Sequence, residues 1–466
     1  MSNIHPLLSV SMPPPTTAGT YYRPLCDNAA PAFGANWQTT PAGSWQPVAV
    51  AAGLTLSTFG VNCQTNPASK YTFTVMKLSG GTVTSTALTL TPSTTQQFDT
   101  THSATFAQGD CYCMQVVVAS GASSTGGLSW YNRVTTSSGS VQVSGGIGPG
   151  AAGGWPLNTA PNWASLQGCA GNGNGVGAPS EVWSPPGTIK NFAIYLPTSV
   201  ATGSWQVVLD RNGSSSGVGP TITSGNYAID NTNTVHLSAG DIVATYMTPS
   251  TLPTAQASIM WGAEFVPDIP GQSPGTYDIT PVAGPNSAYN GLGGTDDTTT
   301  TEALVQTLIE GGFTVMNLYA ALALAGPAYG IVFTIRDNGS SNSHSPTCTI
   351  PAAGTSASDT ARAFSTANGD LLSIVTINTG GSTTIYPMMG ITFWNPNNLS
   401  LQVSSSNVQV SGGSVKMTIG APPLNLKVSS SNAQVSGGSV KITVGTPAGA
   451  GGALRSSPGM VTGVSL

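Results

Sequence analysis

Short segments in which apolar and polar residues alternate recur along most of this chain, separated by turns rich in Gly, Pro and Asn. A period of two directs one face of a segment to a core and the other to solvent, which predicts β-strands. Clear examples are Tyr71–Val75, Trp205–Leu209 and Ile331–Ile335. The second and third examples run into Asn-Gly turns, in which we expect Gly213 and Gly339 to be structural turn residues of β-hairpins.

The strand pattern is part of a longer repeat that occurs three times. Each copy contains a segment that begins with Asp and closes on Gly-Asp eleven residues later, and an apolar strand follows it. The three segments are Asp99–Asp110, Asp230–Asp241 and Asp359–Asp370. Many short strands in about 115 residues predict an antiparallel, jelly-roll-like β-sandwich for each copy. We expect sandwiches at 27–137, 155–267 and 275–396, with almost no helix; the capping-box-like stretch Glu302–Ile309 is also predicted to be a strand.

The segments outside these modules have simpler predicted roles. Residues 1–26 are expected to form an extended Pro-rich arm, and residues 138–154 a Gly/Ser linker. Residues 399–446 hold two copies of a 25-residue unit centred on Ser-Gly-Gly, which predicts two β-hairpin repeats. Residues 447–466 are expected to be a flexible tail.

Composition excludes several classes of protein. Only 6% of the residues are charged and the formal net charge is −5, so clustered Lys and Arg for nucleic-acid binding are missing. No apolar run is long enough for membrane insertion. The chain is also too hydrophobic, at 39%, to be disordered. The N-terminus lacks the pattern of a secretory signal, which favours synthesis in a cytoplasm.

The repeat resembles the jelly-roll modules of bacteriophage virion proteins. The resemblance covers roughly residues 40–395 and depends on the Gly-Thr-Ile-x-Asn-Phe type of strand, the Arg-Asn-Gly type of turn and the Asp-x(10)-Asp segment. Module 1 departs from it, because Lys77-Leu-Ser-Gly stands where the others have the Asn-Gly turn. The resemblance implies a structural virion surface protein, as a decoration, head-fibre or tail-fibre component. The alternative is a glycan- or receptor-binding adhesin for host attachment.

Candidate chemistry is sparse, and we expect neither an enzyme nor a bound cofactor. Asp110, Asp241 and Asp370 are interpreted as structural turn residues that accept backbone N–H groups, because three active sites in so charge-poor a chain are implausible. The six cysteines and four histidines show no metal-ligand spacing, and Asp296-Asp297 is a weak calcium candidate.

Aromatic residues in Pro- and Gly-rich contexts offer the weak ligand-binding candidates Trp155, Trp163 and Trp183. Exposed tryptophans stack on sugars, but packing at module junctions is the favoured interpretation.

Assembly has two possible forms. The three modules of one chain could pack around a pseudo-threefold axis, or three chains could stack their modules in parallel. We favour a homo-oligomer, preferably a trimer, that is attached to other virion proteins through a terminal segment. A host-surface glycan is a further partner under the adhesin alternative.

Overall fold

The computed structural model describes most of residues 3–395 and four short segments beyond them. The described residues are 3–9, 15–26, 37–63, 70–122, 127–147, 162–169, 180–200, 203–250, 259–278, 287–292, 300–323, 328–378, 380, 385, 387–395, 410–411, 416–419, 435–436 and 441–444. The chain divides into a unit of Met1–Asn395 and a unit of Pro396–Leu466.

Module 1 is a sandwich of two antiparallel sheets. Its strands are β1 (Asn3–Leu8), β2 (Gly19–Arg23), β3 (Gln46–Pro47), β4 (Leu54–Cys63), β5 (Tyr71–Ser79), β6 (Thr82–Leu90), β7 (Gln96–Phe106), β8 (Cys111–Val118) and β9 (Leu128–Thr136), with a 3-10 turn at Ala42–Ser44. One sheet has the order β1-β9-β4-β7 and the other β2-β8-β5-β6, with β3 added to β8. Apart from the neighbours β2 and β3 and the hairpin of β5 and β6, successive strands alternate between the two sheets in the manner of a jelly roll.

Module 2 repeats this plan with additional short strands. They are β10 (Val141–Ile147), β11 (Asn162–Ala164), β12 (Gly168–Cys169), β13 (Glu181–Val182), β14 (Gly187–Val200), β15 (Trp205–Arg211), β16 (Ser214–Ser215), β17 (Thr221–Ile222), β18 (Gly225–Asp230), β19 (Val235–Leu237), β20 (Ile242–Pro249) and β21 (Ile259–Pro267). The sheet orders are β12-β10-β21-β14-β18 and β11-β20-β15-β16; β19 pairs with β14, β13 with β20 and β17 with β15.

Module 3 returns to the simpler plan. Its strands are β22 (Gln272–Asp278), β23 (Ser287–Gly291), β24 (Thr307–Leu308), β25 (Thr314–Leu322), β26 (Ile331–Asp337), β27 (Thr347–Ile350), β28 (Ser356–Ser365), β29 (Leu371–Asn378) and β30 (Pro387–Trp394). The sheets are β22-β30-β25-β28 and β23-β29-β26-β27, with β24 on β29. The predicted all-β fold of three tandem sandwiches is confirmed.

Each sandwich encloses its own apolar core. Trp130 lies in the core of module 1, Trp261 in that of module 2 and Phe333 in that of module 3, and all three are fully buried. Burial at roughly 25 cal/mol per Å² of apolar surface is the main stabilising contribution in such a domain.

The hairpin turns explain why module 1 tolerates its departure from the repeat. Asn212 and Gly213 both have positive φ, 54° and 77°, as do Asn338 and Gly339. In module 1 the pair is Gly80 and Gly81, at 54° and 82°. Two consecutive positive φ values define a type I′ turn, and glycine adopts them without strain, so Gly-Gly substitutes for Asn-Gly.

The module boundaries lie further toward the N-terminus than the sequence pattern predicted. The expected arm contributes β1, which pairs with β9, and β2, which pairs with β8. The expected linker contributes β10, which pairs with β21. Residues 302–309 are not one strand: a 3-10 turn at Glu302–Val305 precedes β24. Carboxylate contacts from Glu302 to Arg336 and Ser373 hold that turn against β26 and β29.

In the C-terminal unit the described strands pair between the two repeats. Its described strands are β31 (Val410–Ser411), β32 (Lys416–Ile419), β33 (Val435–Ser436) and β34 (Lys441–Val444). β31 pairs with β33 and β32 with β34, both in parallel and with each residue opposite its counterpart 25 positions later. The prediction of antiparallel hairpins is therefore wrong for these residues. Because the two repeats are nearly identical, the parallel register pairs each residue with the same or a similar residue of the other repeat.

The three modules contact one another in a closed cycle. β3 of module 1 packs on β10, β14 and β21 of module 2, β13 of module 2 packs on β22, β25 and β30 of module 3, and β24 of module 3 packs on β4 and β9 of module 1. We call these the first, second and third interfaces. The same elements meet each time, so the cycle has pseudo-threefold symmetry, which agrees with the first of the two expected assemblies.

Candidate functional site

The three repeated aspartates sit at the turn that leads into β8, β20 and β29. Asp110 accepts the backbone N–H of Ala107 at 2.8 Å, Asp241 that of Ser238 at 2.7 Å and Asp370 that of Ala367 at 2.5 Å. Each carboxylate thus closes a three-residue loop on its own backbone.

The same carboxylates also tie the turn to the neighbouring strand. Asp110 pairs with Lys77 at 2.7 Å, and Asp241 accepts hydrogen bonds from Arg211 at 2.8 Å and Asn212 at 2.7 Å. Partial burial alone raises the pKa of Asp241, but its hydrogen bonds to Ser238, Asn212 and Arg211 outweigh burial and hold the pKa below its ordinary value. A carboxylate kept ionised and fully engaged in this way suits a structural role.

A second set of repeated aspartates organises the strand that precedes each turn. Asp99, Asp230 and Asp359 are each about 8% exposed, and each accepts the backbone N–H groups of the residues two and three positions later. Burial alone raises the pKa of Asp230, yet these bonds and one from the N–H of Gly219 lower the pKa to about 2. Both ends of the Asp-x(10)-Asp segment therefore serve local backbone geometry.

The histidines are not assembled into a catalytic set. His102 contacts Asp99 at 2.9 Å, and His236 contacts Asp268 at 3.0 Å, in different places on their modules. Among the residues that the structure describes, no group of three His, Cys, Asp or Glu side chains could hold a metal ion. Asp296 and Asp297 lie outside the described residues.

The paired cysteines of β8 are packing residues. Cys111 and Cys113 are buried, free and part of one apolar cluster with Trp45 and Met76. Burial raises the pKa of the Cys113 thiol well above its usual value, so the reactive thiolate is disfavoured.

The three tryptophan candidates have different outcomes. Trp183 is fully buried in the core of module 2 and packs edge-on against Phe265, with ring centroids 5.1 Å apart, so its ring offers no surface to a ligand. Trp163 is half-buried and lies 5.2 Å from Tyr246, its partner across β11 and β20. Trp155 lies outside the described residues.

The polar side chains that sequence reasoning missed lie at the interfaces between modules. At the third interface Glu310 receives two hydrogen bonds from Arg133, at 2.5 and 2.8 Å, and one from the hydroxyl of Tyr131, at 3.0 Å. At the second, Ser184 Oγ lies 2.7 Å from Thr392 Oγ1.

The first interface has a different polar pair. The amide oxygen of Gln142 accepts the N–H of Ala49 at 3.0 Å, and its nitrogen donates to the carbonyl of Pro47 at 3.1 Å. Glu264, only 1% exposed, accepts the N–H of Ala51 at 3.0 Å.

A pocket opens at the third interface. Its volume is about 610 Å³, and it lies between the end of β4 and start of β7 in module 1 and the start of β29 in module 3. Its lining residues are Asn62, Thr94, Thr95, Gln96, Ala303, Gln306 and Leu371. These residues belong to no recognisable sequence motif. Finding them requires both an alignment of the three modules and knowledge of which modules contact each other.

The described part of the chain contains no helix of the length and apolar character needed to cross a membrane.

Comparisons with known proteins identify no family for this chain and only weak structural similarities. No protein-family model matches the sequence, and no curated protein does. Among solved structures, the chain is similar to the N-terminal CBM22-1-CBM22-2 tandem domain of Paenibacillus barcinonensis Xyn10C, with 10% identity, a TM-score of 0.14 and coverage of 50% of this chain and 91% of that one. It is also similar to a Paenibacillus xanthan lyase, with 12% identity, a TM-score of 0.15 and coverage of 61% and 30%. Scores this low support no argument about function.

Proposed function

We propose that this protein is a structural surface protein of a bacteriophage virion, acting as a decoration, head-fibre or tail-fibre component and not as an enzyme. The observation that carries the proposal is the closed cycle of three jelly rolls in one chain. Such a cycle presents the threefold-related surface that three separate subunits would otherwise form. The polar side chains conspicuous in the sequence, above all Asp110, Asp241 and Asp370, are committed to turns, which leaves a rigid scaffold.

Attachment is assigned to the C-terminal unit. The N-terminal segment contributes β1 and β2 to module 1, so it is not available as an arm. In the C-terminal unit, two-stranded pairs such as β32 with β34 are marginal alone in water. Their edges fit further strands, so we propose that they pair with other virion proteins or with copies of this chain in a homo-oligomer, preferably a trimer.

Counting copies in purified virions tests the structural role. Quantitative mass spectrometry should find this chain in the particle, in hundreds of copies for a decoration and in a few for a fibre. Its absence from washed particles would refute the proposal. Separately, deletion of residues 399–466 should reduce the number of chains per sedimenting particle while the sandwiches keep their melting temperature. An unchanged number of chains would mean that this unit is not the assembly element.

A second candidate function is glycan binding in host attachment. It is favoured by one observation, the half-buried Trp163 of module 2, whose ring centroid lies 5.2 Å from that of Tyr246 with the ring planes tilted by 56°. Amphipathic rings in such a position bind the apolar faces of sugars. Trp163→Ala should then abolish retention on host cells without lowering the melting temperature; full retention by the variant would exclude this pair as the binding surface.

A further inference from the structure

The pocket at the third interface occupies a position that is filled at the other two. The strand registers establish the equivalence: Asn62 pairs with Gln96 across β4 and β7, and Tyr195 pairs with Tyr227 across β14 and β18. In module 3 the corresponding residue of β25 is Ala321, which pairs with Ser356. The same site can therefore be compared at all three interfaces.

At the first interface aromatic side chains close this site. Tyr195 packs against the cluster of Trp45, Met76, Cys111 and Cys113 on module 1. The hydroxyl of Tyr227 approaches the glycine that precedes Asp110. The first interface is sealed by apolar contacts.

At the second interface apolar residues again meet. Ala321 and Met388 of module 3 pack with Val182 of module 2, and Ile242 and Tyr319 join them. Ile242 is the first residue of β20, as Cys111 is of β8. Two of the three equivalent sites are thus apolar contacts.

At the third interface amides stand where the first has tyrosines. Asn62 takes the place of Tyr195 and Gln96 that of Tyr227, and they face Leu371, the first residue of β29. Gln96 Oε1 lies close to Gly369, as Tyr227 lies close to the equivalent glycine of module 1. The smaller, polar side chains leave the pocket open.

Asn62 forms part of the pocket wall but offers a ligand no hydrogen-bonding atom. It is only 1% exposed, and its Oδ1 is buried without a hydrogen-bond partner among the described residues, as is the hydroxyl of Tyr227 at the first interface. Polar contacts with a ligand therefore come from the more accessible lining residues, above all Gln96 and Gln306.

The lining specifies the chemistry of that ligand. Its polar members are amides and hydroxyls, Leu371 and Ala303 add apolar surface, and no residue of the described lining carries a charge. A phosphate, a carboxylate or a cation would be desolvated there without a counter-charge. A volume of about 610 Å³ is in the usual range for small-molecule sites.

We propose that this pocket binds a neutral saccharide of one or two sugar residues. Sugar hydroxyls exchange hydrogen bonds with Gln96 and Gln306, while an apolar ring face lies against Leu371. The threonines at 94 and 95 are exposed and stand at the mouth. The ligand class rests on the second candidate function, glycan binding, but the site is separate from Trp163.

Saturation-transfer NMR on the full chain tests the proposal. The probes are glucose, galactose, rhamnose, N-acetylglucosamine and their common disaccharides, with sialic acid and glucose 6-phosphate as charged comparisons. Gln96→Tyr installs the side chain of the equivalent position and should weaken binding of the responding neutral sugar at least tenfold. Thr84→Tyr adds the same ring at an exposed site of β6 and should leave affinity unchanged.

A second variant separates binding from folding. Gln306→Leu removes a partly exposed amide of the lining, so it should weaken saccharide binding while leaving the melting temperature of the free protein unchanged. A large fall in melting temperature would show that Gln306 has a structural role and would count against the proposal.

The remaining outcomes distinguish the two glycan sites. Binding that survives Gln96→Tyr and Gln306→Leu but is lost in Trp163→Ala would overturn the pocket and keep the second candidate function. If none of the neutral sugars gives a saturation-transfer signal, both the pocket assignment and glycan binding by these sugars are refuted. A preference for the charged probes would also overturn the assignment.

Discussion

His5 gives the protein a specific sensitivity to mild acid. It lies in β1, is 1% exposed, and its Nε2 accepts the N–H of Gln142 from module 2 at 3.2 Å. Its Nδ1 has no hydrogen-bond partner in the part of the chain that the structure describes. Burial lowers the pKa of His5 from 6.5 to about 3, although the bond from Gln142 acts in the opposite direction.

The sign follows from proton binding. Between these two pKa values the unfolded chain binds a proton at His5 and the folded chain does not, so the free energy of unfolding falls as the pH falls. This loss of stability begins near pH 6.5, the pKa of the histidine in the unfolded chain. It reaches about 2 kcal/mol at pH 5 and approaches 5 kcal/mol only near the folded pKa. Carboxylates with lowered pKa values lose their contribution to stability only below roughly pH 4. They therefore do not mask the effect of His5 between pH 7.5 and pH 5.

The assay is urea unfolding at pH 7.5 and pH 5, followed by tryptophan fluorescence, for the natural protein and His5→Gln. Glutamine keeps an acceptor for the Gln142 N–H but does not titrate. The variant should lose about 2 kcal/mol less between the two pH values than the natural protein does. Contributions from the rest of the chain are common to both proteins and cancel in the difference. Equal losses in the two proteins would refute the reasoning.

Two further predictions concern the interfaces and the turns. Glu310→Ala leaves Arg133 and a buried tyrosine hydroxyl without their acceptor, so it should lower the free energy of unfolding by about 2–4 kcal/mol. It should also make the third interface more sensitive to limited proteolysis. If neither the free energy of unfolding nor the proteolysis pattern changes, Glu310 does not stabilise this interface. Asp241→Ala removes the acceptor of Asn212 and of a turn N–H, which should cost about 1–3 kcal/mol in denaturant unfolding. No polysaccharide-degrading activity should depend on it, and turnover that vanished at an unchanged melting temperature would overturn the non-enzyme proposal.

The sequence predicted the elements whose geometry is decided locally. Turn glycines such as Gly213, the Asp-x(10)-Asp segments and the alternating strands specify hairpins without reference to the rest of the chain. The Pro-rich context of Trp183 made it a weak ligand-binding candidate, but its ring belongs to the core of module 2, which the local sequence does not reveal.

The first strand of each module was harder to recognise. β1 contains Pro6 and β10 contains Gly145 and Gly146, and both residue types disfavour strands in isolation. β1 lies at a sheet edge, where proline is tolerated. A side chain at Gly145 would collide with Trp261 and with backbone carbonyls, so tertiary contact requires glycine there. The pocket was not predictable for a related reason. It lies between modules 1 and 3, and the sequence of a single repeat does not indicate which modules contact each other.

The interfaces also explain how one chain fixes the order of its modules. The residue paired with the last position before the β-bulge is Arg133 in module 1, Glu264 in module 2 and Thr392 in module 3. If module 2 took the place of module 1 against module 3, Glu310 would meet Glu264, and two carboxylates would be buried together.

Such a mismatch costs several kcal/mol, so the charges select the native cycle over its alternatives. Three identical subunits could not use this device, because a change at one interface would appear at all three. Fusion into one chain removes that constraint. It allows the third interface to carry the amides of Asn62 and Gln96 where the first carries Tyr195 and Tyr227, and the pocket at the third interface is the consequence.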